Sequence, residues 1–329
     1  MKKESQPMLS IIVPVFNTIK QLPTCLDTLL AQTLNSLEII VVDDHSTDDI
    51  FTSIKNYLKD FRLSYIRLDK NRGPGGARNA GLARSIGKYV GFCDSDDWVD
   101  FNYYQEGIYL MEQYQADIGM YTFVRESDVP TREKLYKCRY DTFMELSPDI
   151  AFKTLTYQLN AGIKVIPPCT NKIYRKSFLD TIEANFEENM YFQDVLFTIH
   201  TFMKSNKIIC IPNTEYHHYR RPNSIIQSFS SKHIKDFVKL FTLIKQYLQR
   251  ENKYECYCLN YYKLCSHFYN IIIRQIFQFV ADEKDKKTYI RESFAGLKQV
   301  VDFEEYFEYI TAEELRRHIQ PHINDTFLY

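Results

Sequence analysis

Residues 92–98 read Phe-Cys-Asp-Ser-Asp-Asp-Trp and place three carboxylates directly after a short apolar run at 89–92. Such a run predicts a buried strand, so the aspartates are expected at its carboxyl end. Like charges collected there repel each other, and a divalent cation would offset that repulsion. Oxygen ligands suit Mg²⁺ or Mn²⁺, which usually keep sites for phosphate oxygens. The stretch therefore predicts a metal–diphosphate site. The alternative is that Asp96, Asp97 or Asp100 only caps a helix beginning near Phe101.

The segments around this stretch alternate between apolar runs and helical periodicity. Strands are predicted at 9–15, 37–42, 63–68, 89–94 and 117–124, with helices between them. Alternation of this kind is typical of an α/β fold with a Rossmann-like, mostly parallel sheet. Right-handed crossovers would bring the carboxyl ends of the strands to one edge, where open α/β sheets bind ligands. Residues 71–81 are predicted as a glycine-rich loop that runs into a helix.

The pattern is looser after residue 130. A helix is predicted at 149–159, an extended segment at 167–174, and a helix from 190 to 204. Two strands are predicted on either side of Asn213. From Lys232 onward helices dominate, and one of them carries an apolar stripe of Phe237, Leu240, Phe241, Ile244 and Leu248.

Composition excludes several classes of protein. The chain of 329 residues has 41 basic and 42 acidic side chains, so no basic surplus favours nucleic acid as a partner. No apolar stretch approaches the roughly 18 residues of a membrane span, so a soluble or peripheral protein is expected. The eight cysteines lack zinc-site spacing, and we interpret them as reduced core residues of a cytosolic protein.

Two nucleotide-binding motifs are absent. A nicotinamide-binding domain would need GxGxxG directly after the first strand, where this chain has Phe16 and Asn17. A P-loop would need GxxxxGK followed by Ser or Thr, which the sequence does not contain.

Four motifs in order resemble family-2 glycosyltransferases. They are SIIVPVFN at 10–17, VVDDHSTD at 41–48, GARNAG at 76–81 and FCDSDDW at 92–98. The resemblance covers about residues 9–225. It implies an inverting enzyme of the glycosyltransferase-A fold, and the helices predicted after it form a C-terminal extension that the resemblance does not cover.

The resemblance implies how a nucleotide would be held. Asp44 would accept the N3–H of uracil, which makes a UDP-sugar the expected donor. Pro14, Val15 and Asn17 would form the wall beside the nucleotide, and Arg78 would lie near its phosphates. Two of these side chains also have a structural alternative, which is helix capping for Asp44 and a surface ion pair for Arg78.

The resemblance implies a different role for each aspartate of the acidic stretch. Asp96 would ligate a divalent cation, Mn²⁺ or Mg²⁺, on the diphosphate. Asp94 would reach the ribose or a metal-bound water, and Asp97 would lie close to the donor sugar. Asp43, in the second motif, is expected to be structural.

The resemblance also implies the catalytic and acceptor residues. Asp194 would be the base that takes the proton from the acceptor hydroxyl. Many relatives carry Glu before this aspartate, where this chain has Gln193. Asn171 and Lys172 belong to a segment that would face the acceptor, and structural packing is an equally open alternative for it. Arg220 would close over the donor phosphates, whereas His217 and His218 are not included among the metal ligands.

The sequence therefore predicts a domain of residues 1–230, with a nucleotide-binding part at about 9–125 and an acceptor-binding part at about 126–230. Residues 231–329 form a helical C-terminal region. The expected activity is transfer from a UDP-sugar to a glycan or lipid-linked acceptor in polysaccharide biosynthesis, in the cytoplasm or at the inner face of the cell membrane. A non-catalytic nucleotide-sugar-binding or scaffold subunit is the alternative. The apolar stripe either packs on the catalytic domain or forms a lipid-facing or dimer surface.

Overall fold

The computed structural model describes residues 6–126, 135–156, 163–219 and 228–309. The chain divides into two compact units. The first unit contains Met1–Leu155 and Ala161–Arg220, and the second contains Thr156–Asn160 and Arg221–Tyr329.

The first unit is built on one sheet of ten described strands. The strands are β1 (Leu9–Val15), β2 (Leu37–Asp43), β3 (Leu63–Arg67), β4 (Tyr89–Phe92), β5 (Trp98–Val99), β6 (Ile118–Glu126), β7 (Leu135–Cys138), β8 (Met144–Leu146), β9 (Lys172–Arg175) and β10 (Ile208–Tyr219). Its helices are α1 (Leu22–Leu30), α2 (Ile50–Ile54), α3 (Gly73–Arg84), α4 (Tyr103–Tyr114), α5 (Pro148–Leu155), α6 (Lys176–Thr181) and α7 (Gln193–Lys204), with a 3₁₀ turn at Tyr57–Lys59.

The sheet confirms the predicted α/β fold. Its strand order is β3-β2-β1-β4-β9-β6-β10-β5, with β7 beside β6 and β8 beside β10. The pairs β1–β2, β2–β3, β1–β4 and β6–β10 are parallel, and β9 is antiparallel to both β4 and β6. Since β9 reverses direction between β4 and β6, those two strands point the same way. The carboxyl ends of β1, β2, β4 and β6 therefore lie along one edge.

The glycine-rich segment differs from the prediction because it is helix rather than loop from Gly73 onward. Gly73 has φ +72°, which a glycine adopts without strain. A Cβ on Gly75 would lie 2.3 Å from the carbonyl oxygen of Glu187, and one on Gly81 would lie 2.4 Å from Ile12 Cγ2. These glycines therefore allow α3 to pack closely on β1 and on the chain before α7.

Three other boundaries also differ from the predictions. The two strands expected around Asn213 are one strand, β10, in which the pairing with β6 shifts between Ile211 and Glu215 and Asn213 has φ +64°. The helix α4 begins at Tyr103 rather than near Phe101, because Trp98–Val99 pairs with β10 first. The helix expected at 149–159 is described from Pro148 to Leu155, and residues 157–159 lie outside the described chain.

The cysteines occupy mostly core positions, as predicted. Six of the eight are buried, and Cys25 Sγ lies 3.7 Å from Cys93 Sγ without a disulfide. Cys256 is exposed and Cys258 is half-exposed, so the prediction was wrong for these two.

The second unit is helical, as predicted. Its described helices are α8 (Ser231–Arg250), α9 (Tyr254–Phe279), α10 (Glu283–Val300) and α11 (Phe303–Tyr309). The apolar stripe of α8 is buried, and α8 packs against α9 and α10. This stripe is therefore not itself an exposed lipid or dimer surface. Among the described helices, none combines the length and the apolarity that crossing a bilayer would require.

The short strand β5 is held to β10 by a cluster around His217. His217 stacks on Trp98 with ring centroids 5.6 Å apart. Its Nδ1 lies 2.8 Å from Glu126 Oε1, and its Nε2 lies 3.0 Å from Asp100 Oδ1. Asp100 Oδ2 accepts a 2.8 Å bond from the backbone N–H of Glu215. A carboxylate only accepts hydrogen bonds, so both ring nitrogens donate when the imidazole is protonated.

We expect His217 to make the stability of the protein depend on pH. Burial lowers the pKa of His217, but the hydrogen bonds and charges of Asp100 and Glu126 outweigh it and raise the pKa above its usual value. The protonated His217 then contributes fully to the stability of the folded protein below the unfolded-state pKa of about 6.5, and this contribution is lost as pH rises through the folded-state pKa. His217→Gln should cost roughly 1–3 kcal/mol of unfolding free energy at pH 6 and clearly less at pH 9.

Urea unfolding at both pH values measures this difference. The control is His45→Asn, at an exposed histidine outside the cluster, where φ is +62° and asparagine is tolerated. A penalty for His217→Gln that is equal at the two pH values would contradict the assignment of the imidazolium.

Candidate active site

Asp44 lies at the carboxyl end of β2, in the interior of the sheet edge. It is 2% exposed, and its Oδ1 accepts a 2.7 Å bond from the backbone N–H of Arg72, at the start of α3. Its own N–H donates to the carbonyl of Val15 at 2.8 Å. Burial raises the pKa of Asp44, and the neighbouring Asp43 adds to that effect. Asp44 is thus a carboxylate fixed between the first and third motifs.

Asp43 has the structural role that the sequence analysis expected. It is fully buried and accepts bonds from Arg67 Nη1 at 2.6 Å, the Tyr65 hydroxyl at 2.7 Å and the Ser46 N–H at 2.8 Å. Burial opposes ionisation, but these hydrogen bonds and the charge of Arg67 lower the pKa of Asp43 overall. The Asp43 oxygens therefore accept hydrogen bonds that connect the end of β2 with β3.

The end of β1 lies beside Asp44. Pro14 and Val15 are opposite Val42 and Asp43 in the parallel register. Asn17 has φ +52°, and its Oδ1 accepts a 2.9 Å bond from the N–H of Thr47. The two loops after β1 and β2 are therefore joined through the Asn17 side chain.

The acidic stretch forms the turn between β4 and β5. Asp97 is 1% exposed and accepts bonds from the Tyr216 hydroxyl at 2.5 Å and the Tyr219 N–H at 2.9 Å. The Tyr216 hydroxyl also accepts a 3.1 Å bond from the N–H of Asp94. Burial, with Asp96 and Asp94 as further causes, raises the pKa of Asp97 well above its ordinary value. The residue at the N-cap of α4 is Asn102, without a side-chain cap bond, so the helix-capping alternative is wrong.

Arg78 extends from α3 to the acidic turn. Its side chain is 5% exposed, and its Nη2 lies 2.6 Å from Asp94 Oδ1. The guanidinium lies 5.6 Å from the centroid of the Phe186 ring. Its Nε and Nη1 are buried and have no hydrogen-bond partner among the described residues. Arg78 is therefore a largely buried cation with donor capacity left over.

Asp194 lies in the first turn of α7, after Phe192 with φ +60°. Burial raises the pKa of Asp194. Among the charges that act on it, Arg78 and Lys172 lower the pKa and Asp94 raises it. The predicted base is thus within electrostatic range of the same guanidinium that pairs with Asp94.

Asn171 and Lys172, at the start of β9, have their side chains in the interior. Asn171 is 0% exposed and donates from Nδ2 to the Tyr121 carbonyl at 2.8 Å. Lys172 is 1% exposed and bonds to oxygens of the chain itself. Contact of either residue with an acceptor stays a prediction. Arg220 lies outside the described residues.

Gln193 precedes the predicted base on α7. It is 5% exposed, and its Oε1 is buried without a hydrogen-bond partner among the described residues. A carboxylate would carry a charge at this position, whereas the amide adds none to the surroundings of Asp194.

Two groups of side chains have oxygen or nitrogen ligands for a cation. Asp96, half-buried on the acidic turn, supplies the carboxylate oxygen that Mg²⁺ and Mn²⁺ prefer. The sequence analysis missed the second group, in which ligand atoms of Asp100, Glu215 and His217 lie within 4.8 Å of one another. Only the β5–β10 pairing brings it together, and β5 is too short to recognise from sequence. In this second group His217 is hydrogen-bonded to Asp100, and its other ring nitrogen bonds to Glu126.

We expect the Tyr216 hydroxyl to stabilise the acidic turn. Tyr216→Phe removes the hydroxyl donor to Asp97 Oδ2, so only the Tyr219 N–H still donates to this buried carboxyl, and the free energy of unfolding should fall by about 1–3 kcal/mol. The matched control is Tyr121→Phe, because the buried Tyr121 hydroxyl has no partner among the described residues. Removing it should change stability by less than about 0.5 kcal/mol or raise it. Urea unfolding measures both, and equal losses would contradict this role of Tyr216.

Comparison with known proteins places this geometry in a family. The model of glycosyl transferase family 2 matches residues 10–183. EpsH of Bacillus subtilis (strain 168) is 26% identical over 255 residues, which is 76% of this chain and 72% of EpsH. The poly(ribitol-phosphate) beta-N-acetylglucosaminyltransferase TarS of Staphylococcus aureus is 25% identical over 239 residues, which is 71% of this chain but only 39% of TarS.

Solved structures share the fold. Residues 1–349 of S. aureus TarS in complex with UDP-GlcNAc superpose with a TM-score of 0.59 at 20% identity, covering 95% of this chain and 78% of that one. The mannosyltransferase PcManGT of Pyrobaculum calidifontis, in complex with GDP-Man and Mn²⁺, gives 0.54 at 13% identity, with 90% and 86% covered. The chain therefore belongs to glycosyl transferase family 2, and it is a glycosyltransferase with the glycosyltransferase-A fold.

Proposed function

We propose that the protein transfers a sugar from a UDP-sugar to a hydroxyl group of a glycan or lipid-linked acceptor, with inversion at the anomeric carbon. Asp194 is the base in this reaction. The observation that carries the proposal is the position of Arg78, whose buried guanidinium pairs with Asp94 of the acidic turn and acts on the charge of Asp194. The residues proposed for donor and base thus share one cation.

The donor end of the site lies at the carboxyl edge of β1 and β2. Asp44 accepts the N3–H of the uracil base, and the wall of Pro14, Val15 and Asn17 lies beside it. The Arg78 N–H groups without hydrogen-bond partners are available to an anionic oxygen of the UDP-sugar. TarS, which has the same fold, is known in complex with UDP-GlcNAc, whereas PcManGT is known in complex with GDP-Man. The fold alone therefore does not determine which nucleobase the donor carries.

The acidic turn suits a divalent cation. Asp96, half-buried on this turn, is the carboxylate proposed to hold Mn²⁺ or Mg²⁺, as the resemblance implies, while Asp97 bonds to Tyr216 and Tyr219 and Asp94 pairs with Arg78. When bound, the cation neutralises negative charge on the leaving UDP. Asp97 keeps the turn in place beside the donor sugar.

A single displacement accounts for inversion. The acceptor oxygen forms its bond to the anomeric carbon as the bond to UDP breaks, and Asp194 takes the hydroxyl proton. A base works best when its pKa lies near the operating pH, and burial moves the pKa of Asp194 in that direction. Without a second carboxylate at Gln193, no extra negative charge from that position raises it further.

The acceptor side of the proposal depends on relatives. TarS is named for a poly(ribitol-phosphate) acceptor, which supports a polymer hydroxyl and a role in polysaccharide biosynthesis. In the proposal Asn171 and Lys172 form the acceptor-facing segment, and Arg220 closes over the donor phosphates. The reaction takes place in the cytoplasm, where the enzyme contacts the inner face of the membrane or a second copy through the C-terminal helices.

We expect Asp194→Asn to lower transfer by about 10²–10⁴-fold while UDP binding persists, because the amide accepts no proton. Asp96→Asn should abolish the dependence of UDP affinity on Mn²⁺. The assay measures UDP release with UDP-Glc, UDP-Gal, UDP-GlcNAc and UDP-GalNAc, with and without Mn²⁺, together with calorimetry of UDP binding.

Asp141→Asn serves as the control, since that carboxylate is 70% exposed and pairs with Arg139 away from the sheet edge. Substantial transfer by purified Asp194→Asn would refute the base assignment. UDP affinity that is unchanged by Mn²⁺ in the unmodified protein would refute the cation.

A further inference from the structure

We propose that Lys172 is a positioning residue for Asp194. Its buried ammonium group holds the chain segment 166–168 against α7, and its positive charge keeps the Asp194 carboxyl ionised while the enzyme works. The inference goes beyond the proposed function and rests on it in one respect, namely that Asp194 is the base.

The hydrogen bonds of Lys172 show that its charge is not neutralised by a bonded carboxylate. Its Nζ donates to the carbonyls of Ile166 at 2.8 Å and Pro168 at 2.6 Å, and to Asn171 Oδ1 at 2.9 Å. All three acceptors are neutral, and an ammonium group has three donors. The group is therefore satisfied in hydrogen bonds but retains its positive charge in the interior.

One face of α7 connects this ammonium group to Asp194. Asp194, Thr198 and Phe202 are spaced by four residues and so lie on the same helix face. Thr198 Oγ1 donates a 2.6 Å bond to the carbonyl of Pro167, between the two carbonyls that Lys172 holds. Lys172 Nζ lies 5.8 Å from the centroid of the Phe202 ring. The anchored segment therefore contacts this face of α7 one turn after Asp194, and the ammonium group lies near Phe202 one turn further along.

Two cations act on Asp194, Arg78 with the larger effect and Lys172 with the smaller, and of the two only Lys172 lacks a bonded carboxylate. Burial raises the pKa of Asp194, whereas Arg78 and Lys172 oppose that rise. Arg78 is already paired with Asp94, so part of its charge is used there. Cys169 lies among these groups, but burial raises the pKa of its thiol to about 12, so it is neutral.

Several titratable groups act on the pair in the part of the chain that the structure describes. Those that act on Lys172 are Cys138, Cys169, Cys210 and Asp194, and those around Asp194 are Arg78, Asp94, Lys172, Cys169 and Tyr174. Burial lowers the pKa of Lys172 to about 8. The ammonium group is thus present over the acidic range in which Asp194 titrates.

The test is the pH dependence of kcat for Lys172→Met and Lys172→Gln in the full chain, with donor saturating. The acidic limb of kcat reports the base in the enzyme–substrate complex. Loss of the positive charge should move this limb upward by about one pH unit, with activity recovered on the alkaline side. Gln retains a hydrogen-bond donor for the carbonyls, so this variant tests the charge even if the Met variant does not fold.

Thr198→Val is the matched control. It removes the anchor at Pro167 without changing any charge, so it should lower kcat without moving the acidic limb. An acidic limb that stays in place in the folded Lys172 variants would overturn the inference, and so would an equal shift in Thr198→Val. An active Asp194→Asn variant would instead refute the proposed function. The two failures are therefore distinguishable.

Discussion

The accumulation of carboxylates at one edge of the sheet is the constraint on which the rest of the site depends. Parallel strands bring Asp44 and the acidic turn to the same edge, where burial and mutual repulsion disfavour their ionised forms. Arg78 offsets part of this cost through its ion pair with Asp94. The guanidinium reaches that position because the glycines of α3 permit close packing on β1. The packing of α3 on β1 therefore also determines where the positive charge of Arg78 lies in the site.

The same constraint explains why the acidic turn is tied to β10. A turn with three carboxylates has no apolar side chains to fix it, so hydrogen bonds must do so. Tyr216 and the N–H of Tyr219 hold Asp97, and the pairing of β5 with β10 extends the attachment to His217. Asp96 remains beside this fixed framework on the half-buried side of the turn. A rigid turn keeps the carboxylate that is proposed to hold a cation in place before the cation binds.

Local signals predicted much of this architecture, whereas long-range pairing was beyond them. The apolar runs of β1, β2 and β4 are continuous, so their burial and their polar ends could be inferred from sequence. The antiparallel insertion of β9 and the two-residue strand β5 depend on partners far along the chain. For the same reason the sequence pointed to the carboxylates but not to the cluster around His217. The glycines after residue 72 were misinterpreted as loop because close packing and turn flexibility select the same residue.

The burial and the charges that disfavour ionised carboxylates at this edge also determine the pKa of Asp194, the base in the proposed reaction. A carboxylate at a helix N-terminus is stabilised by the backbone dipole, while burial and Asp94 favour its protonated form. Too much burial would leave the group protonated, and too strong an ion pair would make it a poor proton acceptor. Arg78 and Lys172 are not bonded to Asp194 in the described structure, and their positive charges only partly offset the rise in the pKa of Asp194 that burial causes. The uncharged Gln193 fits this balance, because a further carboxylate would shift it toward protonation.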